Sequence, residues 1–115
     1  MSRSTGAARL AQDAPVFAAL GDATRLHIVS RLGETGPLSI TRLTEGTRVT
    51  RQAVTKHLQA LAAAGLVRSH REGRERIWKL RPRRLEEVRD DLARISKQWD
   101  QAISRLRAFV ETEHP

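Results

Sequence analysis

"TRQAVTKHLQALAAAGLVRSH", Thr50 to His70, decides the fold. It begins polar and basic, turns apolar, meets Gly65 and ends in an alternating basic tail. At about 100° per residue, Val54, Leu58 and Leu61 share one face. Gln52, Thr55, Lys56 and Gln59 fall opposite, with Arg51 near the amino end and His57 on the flank. Thr50 is a good N-cap for a helix over Arg51–Ala64, and Gly65 terminates it. One face is built for a core. The other carries groups that read base edges: Gln pairs with adenine, Arg with guanine, and Thr bonds a base or touches a thymine methyl. Thr50 and the free amides of the first turn suit a phosphate oxygen. An ordinary solvated helix face has a similar composition, so the helix alone leaves both readings open.

The residues beyond Gly65 shift the balance. Leu66–His70 and Arg76–Leu80 alternate apolar and polar residues around "REGRE", with Gly73 at the tip, which predicts a β-hairpin. Arg68, Arg71, Arg74, Arg76, Lys79 and Arg81 lie within fourteen residues, offset only by Glu72 and Glu75. A tip with Arg71 and Arg74 around Gly73 can straddle a phosphate backbone or enter a minor groove. Pro82 breaks the second strand.

Toward the amino end, Ala14–Leu20 reads as a short helix with Pro15 in its first turn. Asp22 caps the next helix, whose stripe is Leu26, Val29 and Leu32, and which ends at Gly33 and Gly36–Pro37. Ser39 caps a short helix to about Glu45, with Ile40 and Leu43 inward, and Gly46 makes a turn. Helix, helix, short helix, turn, helix, hairpin, long helix is the order of a winged helix-turn-helix, mainly α with a small β-hairpin. The expected divisions are a flexible tail over residues 1–9, a DNA-binding domain over 10–82 and a dimerisation helix over 83–115.

That last helix has no Gly or Pro from Arg83 to about Glu113. Leu85, Val88, Leu92, Ile95, Trp99, Ala102, Leu106 and Phe109 repeat at alternating steps of three and four. Part of the stripe can cover the chain's own core. A helix of about thirty residues spans roughly 45 Å, longer than so small a domain, and its far half needs another surface. A second copy supplies it most simply, so Leu92, Ile95, Trp99, Ile103, Leu106 and Phe109 are the expected homodimer interface. Ile103 and Val110 widen the stripe enough for the amino-terminal helix to pack there as well.

Composition agrees. The 115 residues suit one domain, and the formal net charge of +8, from 21 Lys and Arg against 13 Asp and Glu, points to a polyanionic partner, first of all double-stranded DNA. Cysteine is absent, which excludes disulfides and thiolate metal sites. No apolar run approaches membrane-span length and no signal-peptide pattern precedes the fold, so a cytoplasmic protein without a membrane partner is expected.

"FAALGDATRLHIVSRL", "RQAVTKHLQALAAAGLV" and "REGRERIWKL" together resemble the ArsR family of winged-helix transcriptional regulators, over about Val16 to Leu80. Thr50, Val54, Thr55, His57, Leu58, Leu61 and Gly65–Val67 carry the most specific part, and "DATRL" at Asp22–Leu26 a softer one. The resemblance implies a dimeric repressor on a pseudo-palindromic operator, releasing DNA when a metal or another signal binds. It also implies metal ligands as Cys pairs on the third helix or Asp, His and Glu pairs on the last. Here "SITRLTEG" has neither Cys nor His, and beside Asp90, Asp91, Asp100, Glu111 and Glu113 the last helix region offers only His114. No metal site and no cofactor are expected, and the sequence names no effector.

Thr50, Arg51, Gln52, Thr55, Lys56, His57, Gln59, Arg71, Arg74 and Arg76 are thus the candidate DNA-binding residues. His27 reads as a surface or core-edge residue. A winged helix serving as a protein-interaction or antitoxin-like module is the competing reading, and Gln52, Thr55, Lys56 and the basic wing argue against it. No catalytic residue is assigned: Tyr, Cys, a phosphate loop and a clustered His–carboxylate constellation are all missing.

Overall fold

A computed structural model describes residues 6–113. In chain order it contains α1 (Gly6–Leu20), α2 (Ala23–Thr35), β1 (Leu38–Ser39), α3 (Ile40–Glu45), α4 (Arg51–Ala63), β2 (Val67–Glu72), β3 (Glu75–Leu80) and α5 (Pro82–Glu113). The winged helix-turn-helix is present: α3 and α4 form the motif and β2–β3 the wing.

Local chemistry explains most boundaries. Asp22, Ser39 and Thr50 each accept a hydrogen bond from a first-turn amide, at Arg25, Arg42 and Ala53. Gly65, with φ of 80°, reverses the chain after α4 in a conformation that a side chain would strain. Gly73, with φ of 61°, opens the two-residue hairpin turn and holds the β2–β3 register from Val67↔Leu80 to Glu72↔Glu75.

Four features differ from the sequence expectation. Helix α1 starts at Gly6, not Ala14, and runs through Pro15. Of the expected tail, residues 6–9 are therefore helical, and residues 1–5 lie outside the described residues. Pro15 removes one helical hydrogen bond, but α5 holds the turn before it: Arg84 bonds the Gln12 carbonyl at 2.8 Å and the Asp13 carboxylate at 3.0 Å. Helix α2 continues past Gly33 to Thr35, and its core face is Ile28 and Leu32, while Leu26 is 51% exposed. The sheet has a third strand: β1 pairs antiparallel with β3, giving the order β1-β3-β2. Pro82 does more than end β3; it is the first residue of α5, where its missing N–H costs nothing.

The core gathers Val16 and Ala19 from α1, Ile28 and Leu32 from α2, Leu43 from α3, Val54, Leu58 and Leu61 from α4, Trp78 from β3 and Val88 from α5. Helix α2 also fixes the turn of the motif. His27 Nε2 donates to the Gly46 carbonyl at 3.2 Å, and Arg31 donates to the Arg42 and Leu43 carbonyls, both at 3.0 Å. Gly46 leaves the room that the Arg31 guanidinium occupies. His27 is thus a strut of the motif rather than a bystander.

Asp13 of α1 and Asp91 of α5 are both buried and line the same cleft between the two helices. Burial, followed by the Asp91 carboxylate, pushes Asp13 above the ordinary aspartate range, and Arg84 opposes this. The neighbouring Asp13 carboxyl holds Asp91 below that range, helped by Arg94 and Arg9. Asp91 pairs with Arg94, and Asp90 pairs with its neighbour Arg89.

A folded chain that keeps a proton on Asp13 loses stability as pH rises from the ordinary aspartate value through the raised one, because there the unfolded chain binds fewer protons. Asp13→Asn cannot titrate. Thermal midpoints of the two proteins, measured from acid to neutral pH, should therefore show the wild type losing ground to Asp13→Asn as pH rises. Parallel curves would mean that Asp13 carries no proton in the folded state.

Candidate nucleic-acid interface

Seating α4 by three side chains leaves its other side to solvent. Val54, Leu58 and Leu61 are fully buried, whereas Arg51, Gln52, Lys56 and Gln59 are exposed. The four exposed residues follow the split that the helical wheel implies. Thr50 is exposed at the cap, with its hydroxyl accepting from Ala53 N at 3.1 Å. Thr55 is half-buried, and its hydroxyl donates to the Arg51 carbonyl at 2.9 Å, so it presents mainly its methyl group. Arg51 reaches back to the Thr41 hydroxyl at 3.4 Å, which draws its guanidinium toward α3.

His57 is placed differently from the others. Its ring is half-buried on the flank, and Nδ1 accepts from Arg25 Nε at 3.1 Å. The Asp22 carboxylate stands 3.9 Å from the same nitrogen. The Arg25 backbone N–H holds that carboxyl below the ordinary aspartate range against the opposing effect of burial. His57 is therefore turned toward the start of α2.

Only Ala64–Leu66 separate α4 from the wing. Arg71 and Arg76 face each other across the β2–β3 ladder, and Arg74 occupies the turn beside Gly73. All three are exposed. Arg76 donates to Ser69 Oγ at 2.8 Å, which steadies its stem, and His70 stands 3.5 Å from Glu72. Arg48, exposed in the turn before Thr50 and without an ion pair among the described residues, belongs with this basic set. Sequence reasoning missed it, although a basic residue in the turn of the motif was the signal.

Known proteins share the sequence and the fold. A helix-turn-helix domain family model matches residues 20–70. The HTH-type transcriptional regulator Rv2034 of Mycobacterium tuberculosis is 37% identical over 95 residues, covering 83% of this chain and 85% of that protein. The structure of an ArsR-like transcriptional regulator from Rhodococcus sp. RHA1 superposes with a TM-score of 0.71 at 38% identity, covering 87% of this chain and 93% of that one. The chain belongs to the ArsR family of winged helix-turn-helix transcriptional regulators. Another structure it resembles is the homodimeric winged helix-turn-helix DNA-binding domain Mb0332 from Mycobacterium bovis, with a TM-score of 0.62 at 27% identity, covering 85% of this chain and 91% of that one. The chain is thus a transcriptional regulator with a DNA-binding fold, and not an enzyme.

The family's metal ligands have no counterpart cluster: among the described residues no group of three or more His, Cys, Asp or Glu side chains is placed to hold a metal ion. His27, His57 and His70 are each engaged separately, by Gly46, Arg25 and Glu72, and His114 lies outside the described residues. No described helix is long and apolar enough to cross a membrane.

Thr50 closes the amino end of the helix that carries the exposed polar face. Thr50→Ala should lower unfolding stability by about 1 kcal/mol, and Thr50→Ser should restore most of it. Urea unfolding of the three proteins measures both effects. An unchanged Thr50→Ala protein would show that the first turn of α4 is held by packing alone.

Proposed function

We propose that the chain works as a homodimeric repressor that binds a two-fold symmetric operator in double-stranded DNA. The observation that carries this reading is the division of α4 into a fully buried apolar face and an exposed face of Arg51, Gln52, Lys56 and Gln59, with a basic wing directly behind it. Helix α4 enters the major groove by its amino-terminal turns, where Gln52 and the Thr55 methyl meet base edges. The first-turn amides at Thr50, together with Arg48 and Lys56, hold phosphate oxygens. Arg71, Arg74 and Arg76 follow the adjacent backbone. Base contacts choose the sequence, and phosphate contacts supply affinity that falls with salt.

The second copy is supported by α5. It has 32 residues and rises about 48 Å. Its near end is engaged: Val88 is buried, Leu85 packs on the core, and Asp91 and Arg94 face α1. Farther along, Trp99, Leu106 and Phe109 are 65%, 64% and 61% exposed, and Leu92, Ile103 and Val110 are exposed beside them. Helix α1 does not cover Ile103 or Val110. A continuous apolar stripe of this kind is rare on a monomer's surface and suits an isologous contact with its twin. Two copies present two α4 helices to two half-sites, and occupation of the site blocks transcription from it.

Selection from random duplexes should recover a pseudo-palindrome, and a reporter placed behind it should be repressed. On that site Gln52→Ala should cost about 1–3 kcal/mol while changing random-DNA binding little. Arg74→Ala should weaken both and lower the salt slope by about one unit. Equal losses for Gln52→Ala on both duplexes would remove it from base reading; an unchanged slope would take Arg74 off the backbone.

Trp99→Glu places a charge in the middle of the stripe. Sedimentation should show monomers, since an unpaired buried charge is not tolerated at such a contact. Operator affinity should fall by on the order of 100-fold or more because the two half-sites are no longer bound together. A folded Trp99→Glu protein that stays dimeric would place the dimer contact elsewhere.

A further inference from the structure

Arg25 occupies the first turn of α2, where a cation opposes the helix dipole and an acidic residue would be the stabilising choice. Its surroundings account for its presence. Its backbone N–H donates to the Asp22 carboxylate at 3.0 Å. Its Nη1 donates to the Ala19 carbonyl at 3.4 Å, in the last turn of α1. Its Nε donates to His57 Nδ1 at 3.1 Å, midway along α4. One guanidinium thus joins the end of α1, the start of α2 and the flank of the recognition helix. Arginine has only donors, so His57 Nδ1 is the acceptor and the ring keeps its hydrogen on Nε2.

The geometry gives this bond a specific mechanical task. Val54, Leu58 and Leu61 fix how deep α4 sits and which side faces inward, but aliphatic contacts are non-directional and leave the last degrees of rotation about the helix axis to a directional partner. A hydrogen bond on the flank is directional. Side-chain tips lie about 5–6 Å from a helix axis, so about 10° of rotation moves them about 1 Å. Paired hydrogen bonds from Gln52 to a base edge do not survive such a shift. Long Arg and Lys side chains reaching phosphates absorb it.

We infer that Arg25, through His57, is a positioning residue that sets the rotation of α4 and so the sequence preference of the protein, with neither residue touching DNA. The inference rests on the operator-binding reading above, and it reassigns His57 from a candidate contact to the receiver of a clamp.

The test compares full-length variants on the selected operator and on a scrambled duplex, with salt slopes and thermal midpoints. Arg25→Met should reduce the operator-to-scrambled preference by about tenfold or more, comparable to losing one paired base contact. Scrambled binding and the salt slope should stay as in the wild type. His57→Asn puts an amide oxygen near the place of Nδ1 and should keep the preference; His57→Gln puts its amide near the place of Nε2 and should lose it. Combining Arg25→Met with His57→Gln should be no worse than either alone. The two His57 variants decide the matter even if Arg25→Met fails to fold.

A salt slope lowered by about one unit in Arg25→Met, with equal weakening on both duplexes, would make Arg25 a phosphate contact and overturn the inference. So would a preference kept by His57→Gln and lost by His57→Asn, which would put Nε2 on the DNA. Additive losses in the double variant would also overturn it. A wild-type protein that selects no operator would fail the operator-binding reading itself, and the inference with it. That result is distinct from an operator-selecting wild type whose preference survives Arg25→Met.

Discussion

The burial of Val54, Leu58 and Leu61 is the constraint on which the rest depends. All three are wholly inside, packed with residues from α1, α2, α3 and the sheet. Burying each is worth on the order of 2 kcal/mol, enough to fix which side of α4 faces inward. Once that side is fixed, helical geometry dictates the exposure of Arg51, Gln52, Lys56 and Gln59. The turn before α4 is then held from outside the motif, by His27 and Arg31 of α2. The first two helices are therefore more than support: they set the level and angle of the fourth.

Features written in local chemistry were legible in the sequence. Thr50, the three-residue stripe, Gly65 and the Gly73 hairpin each act within a few neighbours, and each stands where its residue type requires. Features made by distant partners were not. The first two turns of α1 contain mostly small and polar residues with no clear stripe, and a proline comes soon after; what holds them is α5, through Asp91 at Arg9 and through Arg84, 72 positions away from Gln12. Strand β1 is two residues long, too short for alternation to register, and exists only because β3 offers it a partner. In α2, steps of three and of four were both compatible with the apolar residues. The sheet and α1 together favoured Ile28 and Leu32 over Leu26.

The candidate interface divides the same way. Exposed residues of α4 and the wing could be placed from the wheel and the hairpin, since nothing distant competes for them. His57 could not, because its partner Arg25 lies 32 positions earlier and a flank position leaves its direction undecided. Its place in a motif suggested a contact surface; its hydrogen bond points to α2. The readable anomaly was on the other partner, a cation at a helix start.

Strand order carries one more consequence. Because β3 lies in the middle, β2 is a long edge strand with backbone donors and acceptors facing away from the sheet. Such an edge invites a foreign strand to add to it. Here it carries Arg68, Arg71 and Glu72, all exposed, ahead of a hairpin tip that bears Arg74. Two wings approaching edge to edge would bring arginines against arginines. The charges suited to a polyanion thus also guard the sheet against zipping into fibres.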